Sequence, residues 1–185
     1  MNTPRKNATE FDEFVLRQQS AEVEASSVDW GQEREQWLHH LNDLYTSVEA
    51  FLKPYIDGGT IAVSYKDVLL NEENIGEYTA RQMMLQIGKQ HVVFTPIGTL
   101  LIGTKGRVDV EGAAGRARLI LTDRHAQRPQ IKVTVRRDGD PTHPETGPAL
   151  NIDWRWKIAT MPPQVSYIDL TQDSLFELVM EVANG

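Results

Sequence analysis

The chain contains no cysteine among its 185 residues, which excludes disulfides, thiolate metal sites and cysteine nucleophiles. Long apolar runs are missing as well. No stretch approaches the roughly 18 residues that cross a bilayer. The N-terminus, MNTPRKNATEFDEF, has no apolar core of the kind a signal peptide carries. A cytoplasmic protein with no membrane partner is the resulting expectation. Catalytic signatures are equally scarce. No pair among His39, His40, His91, His125 and His143 has HExxH spacing, and no GxSxG elbow occurs. A non-catalytic protein without cofactor or metal is therefore expected.

What is present is ordinary globular material. Hydrophobic residues make up 40% and charged residues 24%, enough for a sizeable core in one domain. The net charge of -7 hides a split. Residues 1–78 carry 6 basic and 15 acidic side chains, whereas residues 99–159 carry 11 and 7. Overall acidity opposes whole-body attraction to nucleic acid, so any anion binding must be local and central in the chain.

Residues 1–28 are polar apart from Phe11, Phe14, Val15 and Leu16. Thr9 can cap a short helix there, with acidic residues in its first turn, and the apolar cluster is a candidate partner-docking element. The region 29–185 reads as a single α+β domain. Asp29 is a good N-cap and Gln32 completes a capping box. Trp37, Leu41, Leu44, Val48, Phe51 and Tyr55 then recur at steps of four and three, a helix with a broad apolar face. Pro54 and Asp57-Gly58-Gly59 end it. From Ile61 the period becomes two, giving a first strand through Val63 and Tyr65, followed by a less regular stretch, DVLLNEENIGEY. Met83, Leu85 and Ile87 face Val92 and Phe94 across a Gly88-Lys89 turn of type II′. Segments 98–102, 107–111, 116–122, 130–136 and 151–158 read as further strands. A closing helix runs through Leu175, Leu178, Val179 and Val182, with Gly185 at its end and Asp173 or Thr171 as its cap. The fold expected is a long amphipathic helix and a C-terminal helix on an antiparallel meander of six to eight strands.

The stretch TPIGTLLIGTKGRVDVEGAAGR (95–116) falls within one residue of a phosphate-binding loop. Thr104 precedes Lys105 and Gly106 follows it, so the metal-binding hydroxyl is out of place. The next residues alternate as a strand and present no helix N-terminus. A hairpin with the loop Thr104-Lys105-Gly106 fits better, placing Gly106 in a left-handed position, Ile102 against Val108 and Leu100 against Val110. The following turn, Gly112 to Gly115, opposes Glu111 to Arg116, Asp109 to Arg118, Val110 to Ala117 and Val108 to Leu119.

Asp109 and Glu111 share a face and form a conceivable acid/base pair, but cross-strand ion pairs with Arg118 and Arg116 are the simpler account. Asp138 to Glu145 reads as an irregular, exposed loop rather than a metal site. Trp154 and Trp156 alternate along a strand and read as core. The outward sheet face gathers Arg107, Arg116, Arg118, Lys132, Arg136, Arg155 and Lys157 against Asp109, Glu111 and Asp153. With Lys105 at a hairpin tip, these basic residues are anion-binding candidates. No aromatic interleaves them, which disfavours a stacking platform for nucleic acid. The leading expectation is a protein-binding subunit or accessory factor, paired with another copy or another chain. The alternative is a module binding a phosphorylated ligand or nucleic acid through the basic face.

Overall fold

A computed structural model describes residues 29–99, 104–129 and 152–184. Its first element, α1 (Trp30–Asp57), starts where the capping chemistry requires: the Asp29 side chain accepts from the Gln32 backbone N–H at 3.1 Å. Trp37, Leu41, Leu44, Tyr45, Val48 and Leu52 are buried, while Phe51 is half-buried and Tyr55 is 46% exposed. The apolar stripe therefore moves to the margin of the core in the last turn, where Ile56 still packs against it and Tyr55 meets Phe176. Pro54 lies inside the last turns rather than terminating them, and Gly58-Gly59 stops the helix.

Seven strands follow: β1 (Ile61–Glu72), β2 (Gly76–Ile87), β3 (Gln90–Gly98), β4 (Gly106–Glu111), β5 (Arg116–Asp123), β6 (Trp154–Ala159) and β7 (Tyr167–Asp169). They form one sheet in sequence order, every neighbouring pair antiparallel. The β2–β3 turn is as expected, with Leu85 opposite Val92 and Met83 opposite Phe94. Gly88 has φ +60° and no described non-glycine residue has positive φ, as type II′ requires and type I′ forbids. The β4–β5 register also matches the expectation at all four named pairs.

Three expectations fail. The stretch from Asp67 to Tyr78 is not irregular, because β1 and β2 pair without a slip from Ile61 and Ile87 to Glu72 and Gly76. Val108 and Val110 pair with Pro96 and Phe94 of β3, not with Ile102 and Leu100, which lie outside the described residues. β3 runs on through Pro96 because its pairing with β2 ends at Met83 and Phe94. Past that point one side of β3 has no strand partner among the described residues, and a missing N–H is tolerated at such an edge. Gly106 belongs to β4 and is not left-handed. It is glycine for space: a Cβ there would lie 2.2 Å from Cζ3 of Trp37. The expected strand 130–136, the 138–145 loop, and Phe11, Phe14, Val15 and Leu16 all lie outside the described residues.

Beyond Met83, β1 and β2 form a two-stranded ribbon, and such ribbons twist strongly. Tyr78 and Ala80 are buried at even positions, Met83 and Leu85 at odd ones. The two halves of one continuous hairpin thus bury opposite faces, and both belong to the core that holds Trp37. Completing it, α2 (Gln172–Asn184) contributes Leu175, Leu178, Val179 and Val182. Thr171 rather than Asp173 caps α2, accepting from the Ser174 N–H at 3.3 Å. The β4–β5 turn serves its far end, where Ala114 N–H donates to the Val182 carbonyl at 2.9 Å. Among the described residues no helix is long and apolar enough to cross a membrane.

Candidate functional site

The basic residues singled out from the sequence are not gathered on one open surface. Lys105 lies beside the start of α1, its side chain largely buried and hydrogen-bonded to the Glu33 carboxylate. Arg107 grips Asp109 on its own strand with two bonds of 2.6 Å, a forked geometry that outcompetes the cross-strand alternative. Asp109 therefore pairs with Arg107 rather than Arg118, although Arg118 stands opposite it. Arg116 reaches Glu111 at 3.8 Å, as expected. Arg155 holds Asp153 at 2.9 Å and keeps its carboxyl below the usual range, chiefly through that hydrogen bond. Lys157 is 3% exposed, so it is a floor residue rather than a surface cation. Arg118 is exposed and makes no ion pair among the described residues. Lys132 and Arg136 lie outside the described residues. Among the described residues most of this face's charge is thus spent on internal ion pairs.

The opposite margin of the sheet is built differently. β1 is its first strand and carries a neighbour on one side only among the described residues. At 12 residues it is about twice the usual strand length. The hairpin that presents it is fastened at its tip. The Glu72 carboxylate accepts from the Tyr78 hydroxyl and, at 2.8 Å each, from the Thr99 backbone N–H and hydroxyl. Burial, reinforced by the bond to Glu72, raises the Tyr78 pKa and keeps its hydroxyl a donor. Midway, Tyr65 donates to Glu49 of α1, and the Arg81 guanidinium sits 4.8 Å from the Tyr65 ring centre. Leu69 points to solvent with 64% of its surface exposed.

Between β1 and α1 runs an open groove of about 310 Å³, with Ala50, Ile56 and Val63 among its apolar lining and Glu49 at its side. The adjacent cation, Lys53, is taken by Asp57 at 3.0 Å, so Glu49 leaves the groove locally acidic. A long, pinned edge strand beside an apolar groove offers main-chain hydrogen bonds and a side-chain socket together. Sequence alternation located β1, but whether a strand is an edge depends on which strands pair, and the groove depends on where α1 crosses.

On the other side of α1 a cleft of about 210 Å³ is lined by His40, Asp43, Phe51, Trp154, Arg155 and Trp156, among others. Trp156 packs 6.0 Å from Trp37, and its indole N–H donates to the His40 carbonyl at 2.9 Å. Trp154 is half-buried, with the Lys105 ammonium 5.9 Å from its ring centre. Burial lowers the His40 pKa, Asp43 opposes this, and His39 and Lys105 add to it. The unfolded chain therefore takes up this proton first as pH falls. The associated stability is complete above about pH 6.5 and is lost as pH drops toward the depressed value. His40→Gln is expected to flatten the stability profile just below about pH 6.5, as read by urea unfolding across that range. An unchanged slope would show that His40 is not the group responsible. Comparison of this chain with protein-family models, with curated proteins and with solved structures gave no match.

Proposed function

We propose that the protein is a protein-binding module that receives an extended segment of another chain along the edge of β1 that has no strand partner among the described residues. The observation that carries this reading is the 12-residue edge strand flanked by the groove between β1 and α1. An added strand would satisfy the outward N–H and C=O groups of β1, and one apolar side chain of the segment would enter the groove. Because the hairpin is already pinned through Glu72 and Tyr65, little ordering is required on binding. The acidic Glu49 at the groove favours a segment with a basic residue next to its apolar anchor.

Charge also argues for a different chain rather than a second copy. In a symmetric antiparallel pairing, directly opposed residues share a face, so the two centred registers set Lys66 against Lys66 or Asp67 against Asp67. Like charges directly opposite are destabilising, and charged edge residues are a common guard against self-pairing. The test is photo-cross-linking from a photoreactive leucine at position 69 in cells producing the full-length protein. Adducts containing peptides of one other protein, abolished by Ala50→Phe, which fills the groove from an exposed position, are expected. Adducts made only within the same polypeptide, or unaffected by Ala50→Phe, would overturn the reading.

A further inference from the structure

The geometry points to a second, separate site at the far end of the sheet: a pocket for phosphate monoesters between the segment after β5 and strand β7. The cavity measures about 410 Å³ and is lined chiefly by Arg124, His125, Arg128, Lys157, Ser166 and Tyr167, with Gln127 and Asp169 completing it. That volume lies within the range of small-ligand sites and leaves room for an organic portion beyond the phosphate.

The wall that carries the cations is held in place. His125 N–H donates to the Asp123 carboxylate at 2.7 Å and Ala126 N–H to the Asp123 carbonyl at 3.0 Å, closing a turn at the end of β5. The buried Lys157 ammonium then clamps that turn from below, donating to the carbonyls of Arg124 at 2.6 Å and Ala126 at 3.0 Å. Tyr167 N–H donates to the Gln127 carbonyl at 2.9 Å and joins the segment to β7. Such support keeps side chains near a binding geometry before any ligand arrives.

The charges are unevenly matched. Three permanent cations line the cavity against one carboxylate, and that carboxylate, Asp169, is engaged by Lys157 at 2.9 Å. Asp153 stands nearby but is held by Arg155 at 2.9 Å and meets Arg124 only at 3.6 Å. Asp123 is occupied by the turn. Arg128 makes no ion pair among the described residues. Guanidinium forks match the oxygens of a phosphate dianion. Burial raises the Tyr167 pKa, so its hydroxyl remains a donor at neutral pH. The Ser166 hydroxyl is paired with that of Thr160 at 3.2 Å and braces the start of β7. This site shares no residue with the β1 edge, so either proposal stands or falls without the other.

Calorimetric titration of the full chain with glycerol 3-phosphate, inorganic phosphate and glycerol tests it. Saturable glycerol 3-phosphate binding with Kd of about 1 mM or tighter is expected, weakened by raising salt to about 0.3 M. The Arg124→Gln/Arg128→Gln variant is expected to bind about tenfold or more weakly with an unchanged circular dichroism spectrum, and Arg128→Gln alone moves Kd in the same direction. Tighter binding of glycerol 3-phosphate than of phosphate supports an organic monoester, and equal binding supports free phosphate as the ligand. No saturation by either anion up to about 10 mM, equal binding of glycerol, or an affinity unchanged from the parent in both arginine variants would overturn the proposal.

Discussion

Trp37→Ala lowers the free energy of unfolding by about 3–5 kcal/mol, the range for deleting a fully buried tryptophan. Trp37 has no exposed surface and meets three separate parts of the fold. Its ring packs on Trp156, fills the space over Gly106, and joins the core that includes the inward-turned end of the β1–β2 hairpin. Gly106→Ala is the reciprocal experiment. Its Cβ would fall 2.2 Å from the Trp37 ring, so either the indole or β4 must move, at about 1–3 kcal/mol. Combining the two variants is the sharper measurement. In the Trp37→Ala background the added methyl enters vacated space, so the pair costs less than the sum of the single effects by about 1 kcal/mol or more. Urea unfolding of the four proteins reads this coupling. Additivity within about 0.5 kcal/mol would mean that the indole does not occupy the space above Gly106.

Lys157→Met is expected to cost about 2–4 kcal/mol, and the reason is not its ion pair. The ammonium satisfies two backbone carbonyls, of Arg124 and Ala126, and a buried acceptor left without a partner costs about 1–3 kcal/mol. Methionine keeps much of the aliphatic packing and removes the donors. Asp169, by contrast, is 75% exposed, and ion pairs with an exposed partner contribute about 1 kcal/mol or less. Asp169→Asn is therefore expected to stay within about 1 kcal/mol of the parent. Equal losses in the two variants would assign the effect to the ion pair instead. Amide exchange at Tyr167, whose N–H bonds to Gln127, is expected to quicken in Lys157→Met and not in Asp169→Asn.

The polar face shows how far residue patterns carry. Alternation assigned Arg107, Asp109, Arg118, Arg155 and Lys157 to one side of the sheet, and strand pairing places them in adjacent rows. What alternation does not carry is the depth of each residue or the choice among nearby partners. Asp109 had an arginine opposite and another two residues earlier, and the forked contact with Arg107 prevailed. Lys157 entered the sequence argument as a surface cation, but the turn after β5 folds over it. Arg124, His125 and Arg128 were missed for a related reason. They follow a strand rather than alternate along one, and their only trace in the sequence is a short basic cluster, DRHAQR.

Local chemistry by itself determined α1 with its Asp29 cap, the Gly88 turn, the β4–β5 hairpin and α2. In each of these, contacts a few residues apart, or the demand that both faces of a hairpin match, leave one arrangement. Only the tertiary structure decided that β3 pairs with β4 through Phe94 and Pro96, that the β1–β2 ribbon exchanges its buried face, that Gly106 makes room for a tryptophan 69 residues earlier in the chain, and that β1 is an edge among the described residues. These outcomes rest on contacts between residues far apart in sequence and on the twist a two-stranded ribbon acquires once its third strand departs. No period of two or of 3.6 encodes them.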